Sequence, residues 1–424
     1  MRTTGPWYAK AISLALLGLM LLPASGRLTA LAGQPAGLVV DEPEDPLPEG
    51  VSWLDESVVI PVVAGADRPA LEIRSPSAIL MEPLSGEVLF EKDSTARTAP
   101  ASLTKLMTLL LAFEAIRDGR LSLTEKLVAS AHVMRLGGTT AFLETGEEMT
   151  IDHIVLSVAV ASANDASLAL AEHMSGSEEE FVKLMNQRAE ELGMTNTHFA
   201  NCHGLDAENH YSCARDMAIL SCEITKHPKL LEYTSIFETR IREGKTWLVN
   251  RNHMLNYYQG CDGLKTGWTV EAGYSVAITA ARQGTRYVAV VMKAATPNDR
   301  FADCAKMLSW GFANYSSLLV AEKGQSYGAV PVNLGRCQTV PAVAPADRGV
   351  LVRKGTEGEV SRQVVLETLV QAPVHRGDEV GAIVVTLGGE EVGRCPLVAD
   401  RDSERITFLG LWWRLYKRVL GAAG

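Results

Sequence analysis

Several absences limit what this 424-residue chain can be. It has no internal repeat and no low-complexity run, and its composition, 47% hydrophobic and 21% charged, is that of a globular protein. No Cys-x-x-Cys pair or Cys/His cluster has metal-binding spacing, so we expect no metal, and nothing in the sequence indicates a cofactor. Basic residues are not in excess, because the formal net charge is -10, which argues against a nucleic-acid-binding protein. No apolar run reaches the ~20 residues of a membrane-spanning helix.

The N-terminus has the pattern of an export signal. Arg2 and Lys10 supply positive charge, residues 11–22 are apolar, and Ala30-Leu31-Ala32 offers a cleavage site. An uncleaved membrane anchor is the alternative, but the apolar run is too short to favour it. We therefore expect residues 1–32 to be a signal peptide and the mature protein to be exported.

The length of the chain, and the changes in composition and in apolar pattern along it, predict two folded units with tails. Residues 33–70 are acidic and proline-rich, which predicts an extended lead-in with a short strand at 58–63. Within residues 71–317, strand patterns stand before and after helical patterns, which predicts an α+β domain with an antiparallel sheet. The predicted strands are 78–81, 87–90, 274–281 and 287–292, and the predicted helices are 102–119, 152–174, 178–192, 214–226 and 301–315. Residues 318–404 alternate over short stretches between Gly/Asp turns and predict a small all-β, sandwich-like domain.

None of the seven cysteines precedes Cys202. In an exported protein some of them could pair, for instance Cys202 with Cys213 or Cys337 with Cys395. The alternative is that they are small buried apolar residues that stay reduced. The sequence leaves both open.

Three short motifs carry the chemistry: Ser102-Leu103-Thr104-Lys105, Ser162-Ala163-Asn164 and Lys265-Thr266-Gly267. Each is weak alone, because chance alone supplies such short patterns. Together, in this order, they form the pattern of serine acyl-transfer enzymes of the β-lactamase and penicillin-binding type. A serine hydroxyl needs a base within hydrogen-bond reach, and Lys105 lies on the same helical face as Ser102. Because the residues around it are apolar, burial can lower the pKa of Lys105 toward 7 to 8, with Lys265 as a second cation nearby.

The other two motifs allow more than one interpretation. Ser162 and Asn164 can shuttle a proton and hold a substrate amide, but on these residues alone a helix cap is favoured. Lys265 can complement a negative charge and Thr266 can donate a hydrogen bond to substrate. Gly267, which leads into a strand, would let the substrate backbone approach closely because no side chain blocks it.

Longer segments around these motifs resemble the serine-type D-alanyl-D-alanine carboxypeptidases, the low-molecular-mass penicillin-binding proteins of the S11 peptidase family. The matching segments, which span about residues 70–400, are 100–108, 162–166, 203–206, 211–218, 262–267 and 308–312, together with Arg300. The resemblance implies a β-lactamase/transpeptidase-like domain with a helical subdomain, followed by a small β-domain.

The same resemblance implies hydrolysis of the terminal D-Ala-D-Ala bond of peptidoglycan pentapeptides in cell-wall maturation. Ser102 would be the acylated nucleophile and Lys105 the general base, and backbone N–H groups at Ser102 and after Gly267 would hold the oxyanion. Arg300 would bind the substrate carboxylate, and β-lactams would be covalent inhibitors. Two departures are Cys202, where many members have proline, and Trp268, where some have histidine or tyrosine.

Two alternatives are weighed against this function. A class A β-lactamase needs a deacylating Glu, found in that family in a Glu-x-x-x-Asn segment, and no Glu between Asn164 and Lys265 has Asn four residues later. A non-catalytic peptidoglycan-binding scaffold is disfavoured because Ser102 and Lys105 are both intact.

The chain ends in a segment, 405–424, with the pattern of an amphipathic helix. Its apolar residues, with two tryptophans, occupy one arc, and Arg414, Lys417 and Arg418 lie opposite. This pattern, which many carboxypeptidases of the family share, predicts a helix that holds the protein on the outer face of the cytoplasmic membrane. A helix docked on the core of the β-domain is the alternative.

Overall fold

The computed structural model describes residues 71–420. The predicted signal peptide (1–32) and the lead-in (33–70), with its strand at 58–63, lie outside the described residues, as do residues 421–424 of the C-terminal segment.

A five-stranded antiparallel sheet forms the centre of the first domain, in the order β2-β1-β9-β8-β7. The strands of this domain are β1 (Ser77–Met81), β2 (Val88–Lys92), β3 (Lys126–Val128), β4 (Glu148–Thr150), β5 (Glu238–Ile241), β6 (Thr246–Val249), β7 (Cys261–Thr269), β8 (Gly273–Arg282) and β9 (Thr285–Ala294). All four predicted strands of the sheet are confirmed. The pairs β3–β4 and β5–β6 form two separate ribbons.

Helices cover both faces of this sheet. They are α1 (Lys105–Arg117), α2 (Ile151–Leu156), α3 (Asn164–Ser175), α4 (Glu178–Glu191), α5 (Ala214–Ile224), α6 (Pro228–Thr234), α7 (Met254–Tyr257) and α8 (Pro297–Asn314). Because side chains alternate along a strand, Val288 and Val290 of β9 join one core with α1 and α5, while Ala289 and Val291 join a second core with α8. Two cores therefore share one sheet.

The first predicted helix lies at the centre of the larger core. Its residues Leu106, Met107, Leu109 and Leu110 are fully buried, because apolar side chains stand on every side of it. The α-helix begins at Lys105 rather than at Ser102, and a 3-10 turn, Ala101–Thr104, precedes it.

The predicted helix 152–174 is wrong as one continuous element. Helix α2 ends at Leu156, a π-turn covers Ser157–Ala161, and Ser162 takes a left-handed conformation with φ 65° before α3 starts at Asn164. Apolar periodicity continues through the break, so periodicity alone could not reveal it.

The second domain consists of strands, apart from one 3-10 turn at Glu357–Glu359. They are β10 (Tyr315–Ala321), β11 (Ser326–Asn333), β12 (Thr339–Val343), β13 (Arg348–Arg353), β14 (Val360–Leu366), β15 (Val370–Gln371), β16 (Glu379–Leu387) and β17 (Glu390–Ala399). A six-stranded sheet and the β10–β13 pair enclose a separate apolar core. The predicted fold class, an α+β domain followed by a small all-β domain, is confirmed.

Helix α9 (Phe408–Val419) follows the β-domain and buries none of its side chains. Its Arg414 Nη2 donates hydrogen bonds of 2.9 Å to the carbonyl oxygens of Gly335 and Arg336. Within residues 71–420, no helix combines the length and apolar character required to cross a membrane.

All seven cysteines lie in the described part of the chain, and none forms a disulfide. Cys337 is exposed, and the others are buried or half-buried. Of the two alternatives left open by the sequence, the structure has the reduced one.

Candidate active site

The side chain of Lys105 is the centre of the site. It is fully buried, and its Nζ lies 3.0 Å from Ser102 Oγ and 2.7 Å from Asn164 Oδ1, with the carbonyl oxygen of His203 as a third partner. The 3-10 turn before α1 brings Ser102 to this nitrogen, and the break before α3 brings Asn164 to it.

These partners determine which way a neutral Lys105 amine points. Asn164 Nδ2 donates to the Gly137 carbonyl oxygen at 2.7 Å, which fixes Oδ1 as the atom facing Lys105. Asn164 Oδ1 and His203 O can only accept, so they take the two N–H groups of a neutral amine. The remaining lone pair then faces the Ser102 hydroxyl, as a general base requires.

Burial also sets the protonation of Lys105. Removal from water lowers its pKa from 10.5 to about 7, although the charges of Cys202 and Asp165 act in the opposite direction. The expected lowered pKa therefore has desolvation as its main cause.

The structure does not support a capping role for Ser162 and Asn164, so the cap interpretation favoured by the local sequence is wrong. Ala163 is the N-cap of α3, and no side chain caps that helix end. Asn164 is used in the tertiary contacts just described, and Ser162 is 6% exposed at the turn beside it.

Asp165, which the sequence analysis gave no role, fixes the loop that faces this turn. Its carboxylate accepts hydrogen bonds from the backbone N–H groups of Ala141, at 2.8 Å, and Leu143, at 3.0 Å. Asn164 N adds a bond of 2.8 Å to the Thr139 carbonyl oxygen. The second motif therefore holds its surrounding loop as well as Lys105.

Lys265 and Thr266 lie on β7, buried at 2% and 5% exposure. Burial lowers the pKa of Lys265 well below its ordinary value, and the positive charges of Lys105, Arg251 and Arg300 lower it further. Arg251, an exposed residue missed by the sequence analysis, thus adds to a cationic region around the third motif.

The structure gives a further reason for glycine at Gly267, which the sequence did not indicate. A Cβ there would lie 3.1 Å from the Pro100 carbonyl oxygen, 3.2 Å from Ala101 Cβ and 3.2 Å from the Leu103 nitrogen. The turn that carries Ser102 occupies the space that a side chain at Gly267 would fill. From another direction, a Cβ at Gly204 would stand only 1.9 Å from the Ala101 carbonyl oxygen. Two glycines therefore allow close packing around the nucleophile turn.

Arg300 of α8 reaches the third motif from the other face of the sheet. Its Nη1 donates to the carbonyl oxygens of Gly267 and Ser275, both at 3.2 Å, and its guanidinium lies 4.7 Å from the Phe301 ring centroid. Burial lowers the pKa of Arg300 to about 10, so the group stays cationic at neutral pH. Its Nε is buried without a partner among the described residues.

The third partner of Lys105 was not found from the sequence as a site feature. The Asn201 side chain closes the turn that presents the His203 carbonyl: Oδ1 accepts from Gly204 N at 2.6 Å, and Nδ2 donates to the Leu205 carbonyl oxygen at 2.9 Å. His203 and its neighbours belong to a matching segment, but a backbone carbonyl has no residue type that could reveal its role.

Among the described residues, Glu114, Glu223 and His227 place potential metal ligands within 4.8 Å of one another. The Arg188 guanidinium already lies 2.7 Å from Glu114 and 3.3 Å from Glu223. This cluster is an ion-pair network in which arginine supplies the compensating charge.

Together, the antiparallel sheet with its helical subdomain and a serine beside a buried lysine define a serine acyl-transfer enzyme of the penicillin-recognising class. The family model for D-alanyl-D-alanine carboxypeptidases matches residues 63–296, and that for the C-terminal domain of penicillin-binding protein 5 matches residues 315–405. The chain belongs to the D-alanyl-D-alanine carboxypeptidase family of serine peptidases, as the sequence motifs predicted.

Individual relatives agree with this assignment. The D-alanyl-D-alanine carboxypeptidase DacF of Bacillus subtilis is 39% identical over 349 residues, covering 81% of this chain and 89% of the relative. The crystal structure of penicillin binding protein 5 from Haemophilus influenzae is similar with a TM-score of 0.68 and 31% identity, over 80% of this chain and 99% of the other. Penicillin-Binding Protein D2 from Listeria monocytogenes in its ampicillin-bound form is similar with a TM-score of 0.53 and 35% identity, over 57% of this chain and 100% of the other.

Proposed function

We propose that the protein is an exported carboxypeptidase that removes the terminal D-Ala from peptidoglycan pentapeptides through an acyl-enzyme on Ser102. The observation that carries this proposal is the buried Lys105, whose two N–H groups face fixed acceptors so that its lone pair faces Ser102. The resulting role is maturation of the cell wall.

In the acylation step, Ser102 Oγ attacks the carbonyl carbon of the penultimate D-Ala while its proton passes to Lys105 Nζ. Backbone N–H groups of Ser102 and Trp268 would hold the oxyanion. The C–N bond then breaks as the Ser162 hydroxyl passes its proton to the leaving amine and takes up the proton held by Lys105, which returns to its neutral form. Water next attacks the ester and gives a proton to Lys105, which passes it to Ser102 Oγ as the ester bond breaks and the shortened peptide leaves.

Substrate selection in this proposal depends on a free carboxylate. A carboxypeptidase must recognise the chain end, and the Arg300 guanidinium, still cationic at neutral pH, can bind it by a charge-assisted contact. Lys265 and Thr266 would line the same region of β7, and Asn164 would bind the substrate amide.

The direct test is release of D-Ala from a diacyl-Lys-D-Ala-D-Ala peptide, with Ser102→Ala as the matched inactive variant. Labelling with a fluorescent penicillin separates the alternatives: a carboxypeptidase keeps the label, a β-lactamase turns it over rapidly, and a scaffold takes none. The missing Glu-x-x-x-Asn segment and the ampicillin-bound form of the Listeria relative both support a stable acyl-enzyme. Activity in Ser102→Ala would refute the assignment.

We also propose that α9 rests on the outer face of the cytoplasmic membrane. Its polar side is the one tied to the β-domain, through Arg414, whereas Phe408, Leu409 and Val419 are at least 76% exposed. Trp412 and Trp413 are also more than half exposed, and such residues favour the lipid interface. Docking of α9 on the β-domain core has no support, since α9 buries no side chain.

A further inference from the structure

A cavity of about 640 Å³ lies where the turn between β8 and β9 meets the first strand of the β-domain. It is separate from the active site. Cys261 of β7 pairs with Ala280 near this cavity, whereas Gly267 pairs with Ser275, and the six-residue offset along β7 corresponds to about 20 Å. Neither the proposed reaction nor the family assignment gives this cavity a role.

Arg282 places a positive charge at the cavity wall, and its guanidinium is held in position by several contacts. Its guanidinium carbon lies 4.6 Å from the Tyr258 ring centroid and 4.5 Å from that of Phe312. Its Nε donates to the Gln259 carbonyl oxygen at 2.9 Å, and the Tyr258 hydroxyl also lies beside the group. These contacts use only part of the five-donor guanidinium and restrict its motion, so the remaining N–H groups are pre-organised for an acceptor.

A second wall residue has an unmet hydrogen bond. Ser317 Oγ is buried and has no partner among the described residues, while Ser317 N donates to Thr285 Oγ1 at 2.8 Å. Because Oγ is closed off from the cavity, Ser317 forms part of the wall without offering its hydroxyl to a ligand.

The charged residues of the wall favour an anion. Lys354 donates to the Phe312 carbonyl oxygen at 2.6 Å and keeps further N–H groups, whereas the Glu357 carboxylate already accepts from Ser316 Oγ at 2.5 Å and Gly355 N at 2.7 Å. The wall therefore carries two cations, Arg282 and Lys354, and one carboxylate, that of Glu357, which already accepts hydrogen bonds from within the protein.

We propose that this cavity binds an oxyanion-bearing ligand, a carboxylate or phosphate group, with Arg282 as the principal contact and Lys354 as a second cation. Both groups present acceptor oxygens that match the guanidinium fork. The site does not depend on the chemistry of Ser102.

The test is equilibrium binding of inorganic phosphate to the mature protein, measured by calorimetry. To keep the active-site cations out of the measurement, the parent protein carries Arg300→Gln. We expect one saturable site whose affinity falls at least tenfold in Arg282→Gln and several-fold in Lys354→Gln. Arg240→Gln is the matched control, because Arg240 also lies over an aromatic ring, that of Trp247, but does not line the cavity; its affinity should not change.

Competition by acetate distinguishes the two sources of the oxyanion: displacement of phosphate indicates a carboxylate ligand, and its absence a phosphate-bearing one. If Arg282→Gln does not fold, Arg282→Lys keeps the charge without the fork and should still weaken binding several-fold. The proposal is overturned if phosphate shows no saturable binding, or if the Arg282 and Arg240 variants lose affinity equally. D-Ala release by Arg282→Gln, without the Arg300 change, should stay within twofold of the unmodified enzyme, so failure of this proposal would leave the peptidase assignment intact.

Discussion

Asn164 Oδ1 lies 2.7 Å from Lys105 Nζ across the break that separates α3 from the preceding π-turn. Because Asn164 is the first residue of α3 and Lys105 the first residue of α1, the amide and the amine meet at two helix starts. The position of the Lys105 amine is therefore set by backbone breaks rather than by regular helix, and a small local shift would turn it away from Ser102.

The acylation rate should follow the ionisation of Lys105. Burial lowers its pKa to about 7, and in the proposed role as general base the neutral amine is the form that accepts the proton. The second-order rate of labelling by a fluorescent penicillin should rise about tenfold per pH unit below pH 7 and level off above it. Lys105→Arg should show no labelling at any of these pH values, because its guanidinium stays protonated. A rate that is flat between pH 5 and 8 would contradict the role of Lys105.

The same pKa predicts a rise in stability with pH. A lysine has a pKa near 10.4 when unfolded and about 7 here, so the unfolded chain binds more protons between these values. The buried Lys105 therefore lowers the free energy of unfolding by its full amount below pH 7. This destabilisation decreases as the pH rises above about 7 and is gone above about 10.4, the pKa of lysine in the unfolded chain. Denaturant unfolding of Lys105→Met should lack this component, and identical pH profiles for both proteins would count against it.

Asn201 is expected to be a positioning residue for Lys105. Asn201→Ala releases the turn that presents the His203 carbonyl and should lower the acylation rate about 100-fold, since small misplacements have effects of that size. Asn186→Ala is the matched control, because Asn186 holds Phe199 by similar hydrogen bonds but does not contact the lysine turn. The control should lose about 1–3 kcal/mol of stability with little change in rate. Equal rate losses in both variants would indicate a merely structural role.

Alanine substitutions should separate the close packing at Gly204 from the strain of its conformation. Gly204→Ala adds a Cβ against Ala101 at a φ of +90° and should cost about 3 kcal/mol or more, measured by denaturant unfolding. Gly176→Ala has a similar φ of +81° but open space, so it should cost about 1 kcal/mol. The close-packing argument fails if the two variants are equally stable.

Arg300→Ala should discriminate between two kinds of substrate. Loss of a charge-assisted contact should reduce kcat/KM on a free-acid peptide by about 10- to 100-fold. Acylation by a reactive ester without that carboxylate should fall much less. A comparison of the two rates in one variant provides its own control, and equal losses would exclude carboxylate binding.

A protein ending at Thr407 should leave the membrane fraction and keep its peptidase activity. It lacks the exposed apolar side of α9, while the β-domain core contains no residue of that helix. Arg414→Ala, which removes only the tie to Gly335 and Arg336, should stay with membranes. If the shortened protein still sediments with membranes, anchoring by α9 is refuted, and if it unfolds, docking gains support.

The sequence predicted those strands and helices whose pattern of apolar residues follows from which of their side chains are buried. Apolar alternation located β8 and β9, and all-round apolar character located α1. It did not reveal the break at Ser162 or the contacts of Gly267, because both depend on tertiary partners that are distant in the chain. His203 shows the same limit for the site, since its functional atom is a backbone oxygen that any residue would supply.

The alternation along β9 also determines how Lys105 and Arg300 are placed relative to each other. Val290 supports the side of the sheet that carries α1 and its lysine, and Val291 supports the side that carries α8 and Arg300. A slip of one residue between β8 and β9 would exchange these faces and detach both supports at once. The placement of Lys105 relative to Arg300 therefore depends on the pairing register of this one strand.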